Sequence, residues 1–327
     1  MKIRKLTALF FACTMLLAFA ACNRQGKESS SGSDSEPEPG QVVDYPVTIG
    51  TAILKEQPGR VVSLSPALTE IMAELGYLGQ LAGVSDYCDT PATVTDLPRC
   101  GTPQQIDFDA LGKVDPQLVV TSTPLIESEL IRLQQRSIEV LVLPRASTLE
   151  ELRTLYIDLA RALEGDQTGR EAGEGFFGSF NKMIDAMAEM GKTYAAEKGG
   201  KPGTVMIRML DYTVATGDTL EGRLLEAIGL KNLASGYGQW VFPKEDAAAL
   251  TPDLIVAHTP ITIPVLEKNE VYKKTQAVIK DRVVNVDMTA FERQSPRMFD
   301  ELERIALFAY EGVSAGQGQS QSGSVIQ

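Results

Sequence analysis

The feature of this sequence that most constrains its fold is a long helical stripe between Gln167 and Lys198. Apolar residues recur there at intervals of three and four, the spacing of one face of an α-helix. Asp166 is the expected N-cap, and Gly199-Gly200 followed by Pro202 should end the helix. Such a helix is about 45 Å long. The stripe consists of Phe176, Phe180, Met183, Ile184, Met187, Met190 and Tyr194.

Glycines within this stretch argue against a free-standing helix. A coiled-coil arm would keep apolar heptads with charged flanks, whereas each exposed glycine costs about 1 kcal/mol of helix stability. Packing must therefore hold the helix, either over one lobe or between two. Because strand-rich sequence lies on both sides, we interpret 166–199 as a strut that joins two lobes. The glycines are Gly169, Gly173, Gly175, Gly178 and Gly191.

The first 21 residues have the pattern of an export signal. Three basic residues precede an apolar run over 6–18, and Phe19-Ala20-Ala21-Cys22 resembles a bacterial lipobox, in which the cysteine is acylated. The alternative is an uncleaved membrane anchor, for which the apolar run is too short. We therefore predict that Cys22 carries lipid and that the protein is extracytoplasmic, anchored to the cell membrane.

Composition on either side of the predicted fold indicates unstructured chain. Residues 22–44 are rich in Ser, Gly, Glu and Pro and predict a flexible tether, and the Ser/Gly/Gln-rich residues 313–327 predict a disordered tail. The net charge is −12, and loss of the basic signal makes it more negative. An acidic exported protein is a poor nucleic-acid binder, so we expect no nucleic-acid partner.

Two cysteines, Cys88 and Cys100, remain outside the cytoplasm once the signal is removed and Cys22 is acylated. They could close a disulfide in that oxidising compartment. They could equally remain thiols, because sequence spacing does not fix the distance between two cysteines. Both alternatives stay open.

Strand and helix patterns alternate on both sides of the strut. The first lobe, 45–165, contains Ser65-Pro66 after a β-rich run, the preferred pair at N-cap and first helical position. The second lobe, 200–312, contains a buried strand over 254–257 and a helix pattern over 265–279. The alternation predicts an α/β fold with a central parallel sheet in each lobe.

A short repeat relates the two lobes. The segments 109–122 and 245–258 each have an acid seven residues before a proline, and an apolar strand two residues after it. The match indicates that the lobes are structural duplicates. It places Asp109 and Glu245 at equivalent helix starts. There an acid is favoured by the helix dipole by about 0.3–1 kcal/mol, and it could also dock to arginines of a partner.

The same alignment identifies residues at the carboxyl ends of strands. Ser122 and His258 follow equivalent apolar strands, and Ser65 follows the first strand. Open α/β sheets bind ligands at these ends. We therefore expect all three residues to contribute to ligand binding.

Two aromatic residues and an arginine lie on turn-rich segments. Trp240 and Tyr87 are on loops rather than in periodic stripes, so each is a candidate ligand contact, although Trp240 could instead belong to the core. Arg293 and Arg297 precede the last predicted helix. They could be solvated or form a salt bridge at the helix start, or they could bind amide or carboxylate groups of a ligand at a cleft.

Catalytic chemistry is poorly supported. His258 is the only histidine, no Gly-x-Ser-x-Gly elbow surrounds a serine, and no phosphate-binding glycine loop is present. A transition-metal site usually needs several imidazoles. We predict a protein that is not an enzyme, with no catalytic residues, no metal site and no cofactor of its own.

Four stretches together resemble a known family. They are Arg60-Val-Val-Ser-Leu-Ser-Pro-Ala-Leu-Thr-Glu70, Gly83-Val-Ser-Asp-Tyr-Cys-Asp89, Asp115-Pro116-Gln-Leu-Val-Val and Phe291-Glu-Arg-Gln-Ser-Pro-Arg297. Over residues 58–312 the chain resembles the iron-chelate and cobalamin periplasmic-binding proteins of ABC importers. These are the class III receptors with a single backbone helix. The resemblance implies two Rossmann-like lobes, little hinge motion and a ligand held between the lobes.

The resemblance also implies partners and residue roles. An acid on each lobe, here Asp109 and Glu245, would dock to the permease that works with an ATPase subunit, and the receptor would be a monomer. The ligand would be a corrinoid or an iron siderophore, so that any Co or Fe arrives with it. A variant is a haem receptor with Tyr87 or His258 as axial ligand. A metal-dependent enzyme on this fold and an adhesion or scaffold lipoprotein are the competing classes.

Overall fold

The computed structural model describes residues 44–209, 213–243, 246 and 249–312. Thirteen strands and ten helices are defined within these ranges. The strands are β1 (Val47–Ile49), β2 (Ala52–Leu54), β3 (Val61–Ser63), β4 (Leu81–Val84), β5 (Gly101–Thr102), β6 (Gln105–Ile106), β7 (Leu118–Thr121), β8 (Glu139–Val142), β9 (Gly203–Met209), β10 (Thr213–Val214), β11 (Lys231–Asn232), β12 (Leu254–His258) and β13 (Val283–Val286). The helices are α1 (Pro66–Glu74), α2 (Phe108–Val114), α3 (Glu127–Gln134), α4 (Leu149–Glu164), α5 (Asp166–Lys198), α6 (Leu220–Ala227), α7 (Ile263–Leu266), α8 (Gln276–Ile279), α9 (Met288–Arg293) and α10 (Arg297–Glu311).

Two parallel sheets lie on either side of α5 in the sequence. The first has the order β4-β3-β7-β8, with every pair parallel. In the second, β11, β9, β12 and β13 repeat that order in parallel pairs, and β10 adds an antiparallel edge to β9. If the parallel strands of each sheet are numbered along the chain, leaving out β10, both sheets therefore have the spatial order 2-1-3-4. The predicted α/β fold is confirmed, and we call the two halves the first and second lobes.

The central strands are apolar because helices cover both faces of each sheet. All residues of β7 are buried, and Leu254 to Ala257 of β12 are likewise buried. Parallel strands covered on both faces read as continuous Val/Ile/Leu runs. The two segments that the sequence repeat aligned thus contain the third strand of each sheet, which supports duplicated lobes.

Glycines let α5 pack closely against its neighbours. A Cβ built on Gly173 would lie 2.7 Å from Cα of Ile157 in α4, and one on Gly169 would overlap the carbonyl of Ala160. Towards the other end of α5, a Cβ on Gly191 would lie 2.8 Å from the Ile228 carbonyl oxygen. These glycines are buried and let α5 contact the first lobe near its start and the second lobe near its end.

Aromatic residues continue the contact between the lobes. Phe180 of α5 stacks on Phe299 of α10 with ring centroids 3.8 Å apart, and it forms a T-shaped contact with Tyr156 of α4. The Tyr156 hydroxyl donates to the carbonyl of Gln294 at 3.0 Å. One hydrophobic core consequently extends from the first sheet across α5 to the second. No helix in the described part of the chain is both long and apolar enough to cross a membrane.

The start of α5 corrects one sequence expectation. The N-cap is Gly165, with φ of 109°, and Asp166 is the first helical residue. Asp44, expected at the end of the tether, supplies the missing partners: its carbonyl accepts from Asp166 N at 2.9 Å and its carboxylate accepts from Gln167 N at 3.0 Å. The Asp44 carboxylate also accepts from the Thr168 hydroxyl. A residue distant in sequence therefore caps the strut.

One other expectation changes, and the structure selects between the two states left open for the cysteines. The predicted helix over 265–279 is two short helices, α7 and α8, separated by turns. Asn269 explains part of the break, because its side-chain oxygen accepts from Val271 N at 2.9 Å and holds a turn. Cys88 and Cys100 are both free, so the disulfide alternative is not formed in this structure.

Candidate functional site

A hydrogen bond joins two predicted ligand residues at the centre of the first sheet. Ser65 Oγ donates to Ser122 Oγ at 3.0 Å, across the carboxyl ends of β3 and β7. In this strand order the connections diverge between those two strands, which is where open sheets bind ligands. Ser65 is only 1% exposed and also caps α1 by accepting from Leu68 N. Ser122 is half-buried, so of this pair it is the one that reaches the surface.

Tyr87 projects from the loop that follows β4. Its side chain is 67% exposed, and its hydroxyl has no hydrogen-bond partner among the described residues. The loop beneath it is fixed, because Arg99 Nη1 donates to the carbonyls of Ser85 at 2.9 Å and of Cys88 at 2.6 Å. An exposed aromatic side chain on a fixed loop is a ready contact surface for a ligand.

Trp240 occupies a strained loop of the second lobe. Gln239 and Trp240 have φ values of 60° and 61°, a conformation that non-glycine residues adopt rarely and that often marks functional sites. Asp218 accepts from Gln239 N at 2.9 Å, and Thr216 Oγ1 accepts from Trp240 N at 3.1 Å. The half-buried indole lies 5.5 Å from the guanidinium of Arg208. The two hydrogen bonds thus fix the backbone at Trp240, and the Arg208 guanidinium lies over its ring.

His258 is the last residue of β12, at the carboxyl end of the central strand of the second sheet. Its ring is partly buried, and its Nδ1 atom is buried without a hydrogen-bond partner in the described part of the chain. Asn285 holds the following turn by donating to the carbonyl of Ile261 at 2.9 Å. A buried imidazole nitrogen without a partner is costly, so it is a place where a bound group could supply the missing interaction.

Arg293 does not extend freely towards solvent. It lies between two carboxylates of the first lobe, 2.5 Å from Glu70 and 2.5 Å from Asp89. Glu70 also pairs with Arg297 at 3.2 Å. The hydrogen bond from Arg293 is the largest cause that lowers the pKa of Asp89, whose side chain is 66% exposed. The sequence left open whether Arg293 and Arg297 form salt bridges or bind a ligand, and in this structure both form salt bridges.

A second group of contacts joins the lobes beside β8. The amide of Gln294 accepts from Ala146 N at 2.8 Å and donates to Ala146 O at 2.7 Å. Arg145 lies 3.4 Å from Glu221, whose side chain is 3% exposed. Burial raises the pKa of Glu221, and Arg145 opposes that shift. The loops at the carboxyl ends of the two sheets therefore meet through charged and amide groups.

Sequence reasoning missed several polar residues of this region. Arg208 pairs with Glu292 at 2.5 Å, while its buried Nε has no partner among the described residues. Glu70, Arg145 and Glu221 were also not identified. Each lies in an ordinary helix or strand-end pattern and is distinguished only by a partner distant in sequence, which lies in the other lobe for Glu70, Arg145 and Glu221 and in the same lobe for Arg208.

The predicted docking and lipidation residues are only partly within the described ranges. Asp109 is exposed in the first turn of α2, one residue inside the expected helix start, and Asp107 is the N-cap. It borders a cavity of about 490 Å³ that Asp86 and Asp107 also line. Glu245 and Cys22 lie outside the described residues. Within the part of the chain that the structure describes, no three His, Cys, Asp or Glu side chains are grouped to hold a metal.

Comparison with known proteins places this fold among transport receptors. A family described as periplasmic binding protein matches residues 61–290. An uncharacterized ABC transporter substrate-binding lipoprotein of Bacillus subtilis is 25% identical over 312 residues, which cover 93% of this chain and 95% of that protein. A cobalamin-binding protein of Halobacterium salinarum is 24% identical over 279 residues, covering 81% of this chain and 73% of that protein.

Solved structures show the same architecture. A periplasmic haem-binding protein from Pseudomonas aeruginosa has a TM-score of 0.64 at 21% identity, covering 79% of this chain and 94% of that one. A periplasmic vitamin B12-binding protein of Vibrio cholerae has a TM-score of 0.57 at 18% identity, covering 77% and 96%. At these identities the likeness concerns the fold alone.

Proposed function

The chain belongs to the periplasmic binding protein family, and from that premise we propose a lipid-anchored receptor that captures a corrinoid or an iron siderophore between its lobes. The family and the relatives are substrate-binding proteins of transporters, so this chain is an extracytoplasmic transport protein and not an enzyme. The ABC permease and its ATPase are accordingly its partners. The ligand, the anchor and the docking residues belong to the proposal.

The observation that carries the proposal is the pair of aromatic side chains at strand-end loops of different lobes. Tyr87 is exposed beside the first sheet, and Trp240 is fixed beside the second by Thr216 and Asp218. Aromatic rings bury large areas of a flat, bulky ligand at a small cost in side-chain entropy. A corrin or a compact iron chelate is a ligand of that size, and any metal would belong to the ligand.

Titration with cyanocobalamin, haem and a ferric siderophore tests this proposal. We expect either cyanocobalamin or the ferric siderophore to bind. Tyr87→Ala or Trp240→Ala should weaken that binding at least tenfold. Ile53→Ala is the matched control, because Ile53 is 50% exposed on β2, remote in sequence from both loops. Equal affinities for all three variants and wild type would contradict the aromatic site.

A haem receptor is the second candidate, and His258 is the observation that favours it. The partly buried His258 imidazole, at the carboxyl end of β12, and the exposed Tyr87 phenol are side chains that could serve as axial ligands. Haem binding with a Soret shift that His258→Ala or Tyr87→Phe abolishes would select this alternative. A Soret band unchanged in both variants would exclude axial ligation by either residue.

Permease docking is proposed through Asp109 and Glu245. Asp109 borders a concave surface lined by two further aspartates and by Arg132, so acids outnumber the one base there and the surface suits an arginine side chain from a partner. Asp109→Ala combined with Glu245→Ala should abolish uptake and leave ligand affinity unchanged. Asp185→Asn, an exposed acid on α5, is the control. Uptake that persists in the double variant would contradict the assignment.

Lipid attachment is proposed at Cys22. Cys22→Ser should release the protein from the membrane fraction, because acyl chains supply most of the affinity of such anchors. A Cys22→Ser protein that still sediments with membranes would contradict lipidation at this residue. The body is proposed to act as a monomer, which sedimentation of the released protein tests.

A further inference from the structure

Arg293 has two carboxylate partners that differ sharply in their surroundings. Glu70 lies on α1 with 3% of its side chain exposed, and it keeps a second arginine, Arg297, at 3.2 Å. Asp89 lies two residues after Tyr87, with 66% of its side chain exposed. Arg293 Nη1 and Nη2 meet the two Asp89 oxygens at 2.5 and 3.2 Å, so both donors on that side are occupied.

The difference in burial between Glu70 and Asp89 determines which of the two a ligand group could replace as the partner of Arg293. Separating Arg293 from Glu70 would leave a buried carboxylate short of one of its counter-ions, which is strongly unfavourable. Releasing Asp89 only returns an exposed carboxylate to water, and exposed ion pairs contribute little. Glu70 therefore holds the guanidinium in place, while the Asp89 side is the one that a ligand could take over.

The geometry points to Asp89 as a built-in competitor that selects against acidic ligands at Arg293. A ligand carboxylate would have to displace Asp89 and then lie close to that carboxylate, with like-charge repulsion. A ligand that presents uncharged amide groups would leave the pair intact. The inference rests on the proposed function and refines it, since it assigns this receptor to ligands with amide-rich peripheries rather than to carboxylate-bearing chelates.

The other arginines at the strand-end loops agree with this assignment. Arg208 is paired with Glu292, and Arg145 lies near Glu221. Each of these two arginines therefore already has a carboxylate of the same chain beside it, as Arg293 does. Arg99, on the Tyr87 loop, instead donates to the carbonyls of Ser85 and Cys88. An acidic ligand would have to compete with groups of the protein for each of these guanidinium groups.

The test compares Asp89→Asn with Asp96→Asn, using citrate as a small carboxylate probe at fixed ionic strength. Asp96 is exposed at the end of the short 3-10 helix after Tyr87, and no ion pair involves it within the described residues, so both variants change the net charge equally. Asp89→Asn should raise citrate affinity about fivefold or more, the equivalent of one exposed ion pair. Asp96→Asn should leave it unchanged, and Arg293→Gln added to Asp89→Asn should remove the gain.

Two outcomes would overturn the inference: an unchanged citrate affinity in Asp89→Asn, or an equal rise in both asparagine variants. Thermal unfolding of each variant identifies any loss of the fold, and Asp89→Glu provides a second readout because it should stay close to wild type. If no corrinoid or siderophore binds wild type, the proposed function fails, whereas the citrate comparison still decides the role of Asp89.

Discussion

Arg293 Nη1 lies 2.5 Å from Glu70 Oε1, and the two residues belong to different lobes. The pair is separated by 223 positions in the sequence, and its acidic member is almost fully buried. Buried ion pairs contribute little when both partners are present, yet loss of one partner leaves an uncompensated charge. The contact therefore makes the relative placement of the lobes sensitive to single substitutions.

Glu70→Ala is expected to destabilise the protein strongly. Arg293 and Arg297 would both lose a buried partner, and the free energy of unfolding should fall by about 3 kcal/mol. Urea unfolding measures this change. Asp89→Asn, which removes only the exposed partner, should cost no more than about 1 kcal/mol. Equal costs for the two variants would contradict the distinction between the buried and exposed carboxylates.

The pH dependence of stability should reveal Glu221. Burial raises its pKa, Glu292 adds to the rise, and Arg145 and Arg208 oppose it. The folded protein therefore holds this proton more tightly than the unfolded chain, so stability falls as the pH rises from about 4.3 through the raised pKa. Glu221→Gln should remove this decrease when urea unfolding is compared with wild type across that range. A difference between the two that is constant with pH would contradict the shift.

Two glycines of the strut should respond in opposite ways to alanine. Gly173→Ala would place Cβ 2.7 Å from Cα of Ile157, and overpacking of this kind costs about 2 kcal/mol. Gly178→Ala meets nothing within 4 Å and should stabilise the helix by about 0.5–1 kcal/mol. Urea unfolding of both variants tests the predicted face of α5. Stabilisation by Gly173→Ala would show that α4 does not approach so closely.

The two thiols should be present but slow to react. Cys88 and Cys100 are 1% and 0% exposed, and burial raises the pKa of both, that of Cys100 to about 11. In protein lacking residues 1–22, Ellman's reagent should react slowly in buffer and rapidly with both thiols in urea without reductant. Absence of reaction in urea would instead indicate a disulfide.

Local patterns were sufficient to predict the fold. The apolar stripe predicted α5 to within one residue of its observed start, and the continuous apolar runs predicted the parallel strands, because both signals depend on near neighbours. The repeat correctly indicated duplicated lobes. The comparisons confirm the family resemblance and the prediction that the protein is a transport receptor and not an enzyme.

Long-range pairing is what the sequence could not supply. Nothing near Asp44 indicates that it caps a helix 123 positions later, and the glycine at the true N-cap carries no side-chain signal. The same holds for Glu70 and Arg208, whose partners lie in distant segments. The candidate site was therefore predicted by position, at strand ends, while its charge balance emerged only from tertiary contacts.

The attachment of Asp44 to the first turn of α5 has a mechanical consequence. Any pulling force from the chain before residue 44 passes first into hydrogen bonds with Asp166, Gln167 and Thr168, at the end of the stiffest element. These three residues begin α5, so the force would enter the strut rather than the strand-end loops. A membrane anchor at Cys22, as proposed, would therefore load the helix between the lobes and not the loops that carry the proposed ligand contacts.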